Sequence, residues 1–170
     1  MLSVGLLNPK SPDNVGSVMR AAGNYAVDAV YYTGSRYPRA LASNPGVANT
    51  RRSISINIPL SSVNSLIEQA SENTQIICVE LAEGAISLPE YQHPENALYI
   101  FGPEDGNISQ AIIDKADAVV YIPTHGCMNL AATVNVLLYD RLAKSSQSVA
   151  DNQLVRKSRD RNNNLKVRCK

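Results

Sequence analysis

The sequence predicts an α/β protein, a single domain with a parallel sheet flanked by helices. Two patterns carry that expectation. Short runs rich in Val, Ile, Leu and Tyr alternate with stretches whose apolar residues recur at helical spacing. Three of the runs, IICVEL at 76–81, ALYIF at 97–101 and AVVYI at 118–122, are almost wholly apolar, as are strands covered on both faces. Length agrees, because 170 residues fit one domain, and 44% hydrophobic residues are enough to build a core.

In chain order, Leu2–Leu7 reads as the first strand, stopped by Asn8-Pro9. Asn14 is placed to cap a helix running through Val15, Val18, Met19 and Ala22. Asp28–Thr33 is the second strand. The polar stretch Gly34–Ser53 holds Arg36, Arg39, Arg51 and Arg52 with two prolines, so it reads as a loop. At about 20 residues it is longer than ordinary connections, and such loops tend to be functional. Ile54–Ile58 is expected to be a strand. A helix over Ser61–Glu72 follows from the spacing of Val63, Leu66, Ile67 and Ala70. Beyond the strand at 76–81 come a loop over Ala82–Pro94, the strand Ala97–Phe101, and a short helix over Ser109–Ala116. The strand Ala118–Ile122 and the loop Pro123–Cys127 precede a last helix over Asn129–Lys144. Residues 1–144 are therefore expected to form the domain and residues 145–170 a basic flexible tail.

Charge supports that division. The formal net charge is only +1, which excludes a uniformly basic nucleic-acid coat protein. Residues 145–170 nevertheless carry seven Lys/Arg against two Asp, while residues 1–144 carry nine against thirteen Asp/Glu. A polyanionic partner for the tail follows as an expectation. Three widely spaced cysteines make no disulfide framework and no CxxC knuckle. The N-terminus lacks the basic and apolar regions of a signal peptide. No apolar run nears the ~20 residues of a membrane span. The sequence reads as that of a soluble, cytoplasmic protein with no membrane partner.

Open parallel sheets bind ligands at the carboxyl ends of their strands. Three segments stand there: 8–20 (NPKSPDNVGSVMR), 101–106 (FGPEDG) and 122–130 (IPTHGCMNL). None contains GxxxxGK[ST], GxGxxG or GxSxG, which disfavours a P-loop hydrolase, a dinucleotide fold and a nucleophile elbow. With His only at 93 and 125, no metal site is expected. Cys127 beside His125 suggests a thiol nucleophile, but catalytic Cys–His partners usually meet from distant segments.

The three segments together are more specific than any one. Asn14-x-Gly16-x-x-x-Arg20, then Gly102-x-Glu104 at a strand end, then Ile122-Pro123 with Met128-Asn129-Leu130 before a helix ending near Tyr139-Asp140, resemble the SPOUT superfamily. The likeness is to its TrmH/SpoU branch of RNA ribose 2′-O-methyltransferases and covers residues 2 to about 143. In size the chain resembles the TrmL type, which methylates the wobble ribose of tRNA.

The resemblance implies a deep C-terminal trefoil knot, a homodimer, and S-adenosylmethionine (SAM) as cofactor. It implies methyl transfer to a ribose 2′-hydroxyl of RNA, with tRNA expected. Arg20 falls at the catalytic position, reaching in from the other subunit, with Asn14, Glu104 and Asn129 supporting it. Glu80, Gly102, Ile122, Cys127 and Met128 fall where SAM is held. A guanidinium is a poor proton acceptor, so Arg20 is expected to stabilise the developing oxyanion, with Glu104 orienting it and Asn14 fixing its loop. Cys127 and Ala131 stand where the family often has serine, and a thiol hydrogen-bonds weakly. Those departures support an alternative: a catalytically impaired SAM- or RNA-binding module of the same fold.

Overall fold

Alternation along the strands builds the core. Ile77 and Val79 face one side of the sheet with Tyr99 and Phe101, while Ile76 and Cys78 face the other with Leu98 and Ile100. Apolar residues on both faces explain the uninterrupted runs in the sequence. The structure, a computed structural model, describes residues 1–43, 57–146 and 152–168.

Among these residues one sheet forms from β1 (Leu2–Leu6), β2 (Ala29–Tyr32), β3 (Leu60–Ser62), β4 (Gln75–Val79), β5 (Ile86–Ser87), β6 (Ala97–Phe101) and β7 (Ala118–Tyr121). The spatial order is β3-β2-β1-β6-β4-β7-β5, with every pair parallel. In register, Ser3 lies between Ala29 and Leu98, and Cys78 between Ile100 and Val119. Helices α1 (Pro12–Asn24) and α4 (Leu130–Lys144) pack together on one face. There Val15, Val18 and Met19 meet Val134, Leu137 and Leu138, all buried. Helices α2 (Arg36–Ser43) and α3 (Gln110–Ile113) are shorter. In this parallel sheet the loops after β1, β4, β6 and β7 leave from one edge, which positions the site.

Several local expectations are corrected. Helix α1 begins at Pro12 and is capped by Ser11, whose Oγ accepts from the Asn14 N–H at 3.3 Å. Proline suits that first position because its missing N–H has no intrahelical partner anyway. Asn14 therefore lies inside the first turn, its side chain free for another task. The expected loop over Gly34–Ser53 contains α2, in which Pro38 sits in the first turn and Ala, Leu and Arg favour helix. Tyr37 packs edge-on against Tyr32 at 5.1 Å and ties α2 to the sheet. The strand expected at Ile54–Ile58 falls mostly outside the described residues.

No helix spans Ser61–Glu72. Leu60–Ser62 instead extends the sheet beside β2, and only Ile67–Gln69 turns as a 3-10 helix. Ser61, Ser62, Asn64 and Ser65 are weak helix formers that hydrogen-bond their own backbone; Ser65 Oγ accepts from Glu68 N. Leu66 is buried against Gly5, where a Cβ would stand 3.0 Å from its Cδ1. The loop over Ala82–Pro94 includes β5 and a 3-10 turn at Leu88–Glu90. The tail, expected to lack regular structure, carries helix α5 (Asn152–Ser158), which buries none of its residues.

Candidate active site

The carboxyl ends of β4, β6 and β7 open into one cleft. Glu80 and Leu81 line it from the first loop, Gly102, Pro103, Glu104 and Gly106 from the second, and Ile122, Thr124, Gly126, Cys127 and Met128 from the third. Leu130 and Thr133 close it from the first turn of α4. The lining holds two carboxylates and, among the described residues, no Lys, Arg or His. That donor set suits a cationic ligand with apolar parts, and a phosphate-bearing one poorly.

Each carboxylate pins a loop. Glu80 accepts from Leu81 N at 2.9 Å and, through Oε2, from Ile108 N at 2.9 Å, so it fixes the far side of the 102–108 turn. Gly102 faces the same oxygen, and a Cβ there would approach it to 3.2 Å. Glu104 receives the backbone N–H groups of Lys10 (2.8 Å) and Ser11 (3.0 Å) and the side-chain amide of Asn14 (3.1 Å). Burial works against this carboxylate, but these three donors and its own backbone N–H together hold it below the usual carboxylate range.

Asn14 and Asn129 continue the connection. Asn14 Oδ1 accepts from Asn129 Nδ2 at 2.9 Å, while Asn129 Oδ1 caps α4 by accepting from Ala131 N and Ala132 N. The three motif segments are thus joined by one directed chain, from the N-terminus of α4 through two side-chain amides to the Glu104 carboxylate.

All five residues assigned to the cofactor, Glu80, Gly102, Ile122, Cys127 and Met128, line the cleft. Glu104 lines it too, and Asn14 and Asn129 stand directly behind. Arg20 does not join them. It is exposed on α1 and makes no hydrogen bond or ion pair among the described residues, so Glu104 orients the 10–14 loop and leaves Arg20 untouched. Cys127 is an exposed free thiol. Ala131 is buried outside the lining, so its missing hydroxyl takes nothing from the cleft wall. Thr124 and Thr133 supply hydroxyls that sequence reasoning missed; Thr133 also donates to Asn129 O at 3.0 Å. Helical spacing from Asn129 was the available signal for Thr133, one turn further on.

A doubly flanked parallel sheet with one cleft at its strand ends, gripped by backbone-rich loops, defines a small-molecule-binding α/β enzyme fold. The chain matches the SpoU rRNA Methylase family over residues 1–139 and belongs to it. The expected class, a SAM-dependent RNA ribose 2′-O-methyltransferase, is the class that this membership gives. Over 159 residues it is 28% identical to tRNA (cytidine-2′-O-)-methyltransferase TrmJ of Methanocaldococcus jannaschii, covering 85% of this chain and 68% of that protein. The chain spans about two thirds of the length of the curated relatives it matches. A structure reported for the 2-OH methylation of C/U34 on tRNA superposes with a TM-score of 0.73 at 23% identity, covering 85% of this chain and 95% of that one. The SpoU methyltransferase AviRb from Streptomyces viridochromogenes, in complex with AdoMet, gives 0.63 at 22%, covering 83% and 56%. These likenesses support the fold.

Proposed function

We propose that this chain transfers the methyl group of SAM to a ribose 2′-hydroxyl of tRNA, as a homodimer in the cytoplasm. The observation that carries the proposal is the chain Glu104–Asn14–Asn129, which closes the three motif loops around one cleft. SAM bound there supplies an electrophilic methyl on a sulfonium. The residues present fit that group. Glu80 and Glu104 favour a positive charge, Gly102 leaves room where a Cβ would crowd Glu80, and Ile122, Met128 and Leu130 offer apolar surface.

Arg20 serves from the partner subunit. Its place on the solvent face of α1, away from its own cleft, supports a role in trans. There its guanidinium holds the phosphate beside the target and stabilises negative charge growing on the 2′-oxygen. Dimerisation is supported by Val136, Tyr139 and Leu142, which leave one face of α4 exposed by 37%, 63% and 41%. The exposed thiol of Cys127 suits a reducing compartment. The same proposal takes residues 1–144 as the methyltransferase domain and residues 145–170 as a basic tail that adds RNA affinity. It takes the return of the chain across β4, in the order β6-β4-β7, as part of a trefoil knot.

Incubation with methyl-labelled SAM and bulk tRNA tests the activity. Label in a ribose 2′-O-methyl nucleotide supports it; SAM binding without transfer leaves the impaired binding module in its place. The wobble nucleotide is the expected position, on the strength of the structure concerned with C/U34. Mapping the label to another position overturns that choice alone.

A further inference from the structure

Arg36 and Lys10 converge on Asp105 beside the cleft. Arg36 presents Nη1 to Asp105 Oδ1 at 2.7 Å and Nη2 to Oδ2 at 2.9 Å, a planar fork on two oxygens. Lys10 Nζ stands 3.5 Å from the same Oδ2. This is also how an arginine and a lysine hold a phosphate. Both cations are mounted on fixed backbone. The Lys10 N–H is held by Glu104, and the Arg36 N–H by Asn8 Oδ1 at 3.4 Å. Asn8 itself takes a left-handed φ of 41° and fills the space beside Gly34, where no Cβ would fit.

We propose that Lys10 and Arg36 form a subsite for an RNA backbone phosphate on the rim of the cleft, and that the Asp105 carboxylate occupies it until RNA arrives. The inference rests on the RNA-methylating reading above. Asp105 adjoins Glu104 yet does not line the cleft, so the subsite lies outside the cofactor's space. Side-chain exposures of 65% for Lys10, 29% for Arg36 and 50% for Asp105 leave all three groups open to an incoming ligand. An exposed ion pair holds its partners by a factor of about five at most, so an RNA phosphodiester, equal in charge to the carboxylate and anchored by the rest of the RNA, displaces it readily. In the meantime Asp105 keeps the fork oriented and withholds it from neutral ligands. A plain scaffold role, in which Asp105 only pins α2, makes the opposite prediction for the same substitution.

The test uses the full chain as wild type, Asp105→Asn and Arg36→Gln. Pyrophosphate binding is measured by titration calorimetry in all three proteins, and tRNA binding is measured over a salt series. SAM affinity, expected to be unchanged in both variants, reports on folding. Emptying the subsite should tighten pyrophosphate and tRNA binding by about two- to fivefold, the reciprocal of the fraction of subsites already free in the wild type. Arg36→Gln should weaken both and lower the log–log salt slope for tRNA by about 0.7–0.9, the share of a single neutralised phosphate. Weaker or unchanged pyrophosphate and tRNA binding in Asp105→Asn, or an unchanged slope in Arg36→Gln, overturns the proposal. Tighter pyrophosphate binding together with no tRNA binding by the wild type supports the anion subsite and sinks the RNA reading instead.

Discussion

The side-chain amide of Asn129 donates to Asn14 Oδ1 at 2.9 Å, joining residues 115 positions apart behind the cleft. Because Asn14 also donates to Glu104, both amides have fixed orientations: each accepts on one side and donates on the other. An alanine at position 14 removes the middle link and leaves Glu104 with only its backbone donors. Misplacing a reacting group by about 1 Å costs ~10² in rate, so Asn14→Ala should lose turnover on that scale while SAM affinity barely changes. Asn14→Asp sharpens the test, because it sets a second carboxylate against Glu104. Like charges at that distance raise the pKa of one of the pair. The variant should work best where the pair shares a proton and lose activity as pH rises through that raised value. A pH–rate profile parallel to wild type would dismiss the chain as catalytic support.

Cys127 lines the cleft as an exposed thiol, one residue before Met128. A hydroxyl of similar size hydrogen-bonds more strongly. Cys127→Ser should therefore keep or raise both SAM affinity and methyl transfer. Abolished transfer in a normally folded variant would give the sulfur a chemical role.

The sequence disclosed the cleft better than the peptide segments around it. Ala97–Phe101 and the last helix were legible because burial on both faces, or on one helical stripe, leaves a pattern in one short window. Val63, Leu66, Ile67 and Ala70 leave a helical pattern too, yet they mark only which residues turn inward along the segment after a strand and around a 3-10 turn. Asn14 looked like a cap because Asn at a helix start usually is one. Its partner Glu104 lies 90 residues away, and no local pattern reveals that. Arg36 was hidden in the same way, since its fork closes on Asp105 from 69 positions off.

Protonation of His93 should destabilise the fold. Its side chain is 4% exposed; Nδ1 accepts from Tyr99 Oη at 2.6 Å and Nε2 donates to Asp140 at 2.9 Å. Arg141 donates to the same Tyr99 oxygen, which leaves the tyrosine proton for His93 and makes the ring neutral. Burial lowers the His93 pKa below 6.5 and outweighs the hydrogen bond to Asp140 that would raise it. The unfolded chain then binds more protons than the native one just below pH 6.5, so stability rises with pH there. The contribution is complete above 6.5 and is lost as pH falls from there through the lowered native value. Glu104, held below 4.5, adds its own loss only further into acid. Melting temperatures between pH 5 and 8 should show the first decline, and His93→Phe should flatten it. An unchanged slope in that variant would remove His93 from the account.

The tail should act on RNA and leave the cofactor alone. Arg156, Lys157, Arg161, Lys166 and Arg168 are exposed, and α5 buries none of its residues. Deleting residues 151–170 should flatten the salt dependence of RNA binding by ~0.7 for each single-strand phosphate that the tail neutralises. SAM affinity should stay constant. A slope that survives the deletion would return RNA binding to the arginines of the domain.

Arg20 provides the strictest test of the proposed action in trans, because it is exposed and does not line its own cleft. A group that acts on charge developing in the transition state affects rate far more than ground-state binding. Arg20→Ala should therefore lower methyl transfer by ~10²–10³ with SAM affinity intact. Arg20→Lys should restore only part of the rate, since it keeps the charge and loses the planar fork. Mixing decides whether the action is in trans. A heterodimer of an Arg20→Ala subunit with a subunit whose cleft is blocked by Gly102→Val holds one composite site with an intact arginine and an intact cleft. The side chain at 102 would meet Glu80 and Ile108, so the blocked subunit cannot serve in cis. Equal amounts of the two inactive variants should recover about a quarter of the wild-type rate after exchange, because half the dimers are mixed and each has one working site in two. Sedimentation of the wild type as a monomer at micromolar concentration, or mixtures as inactive as their parents, would confine the action of Arg20 to its own subunit, and full methyl transfer by Arg20→Ala alone would leave it a surface residue.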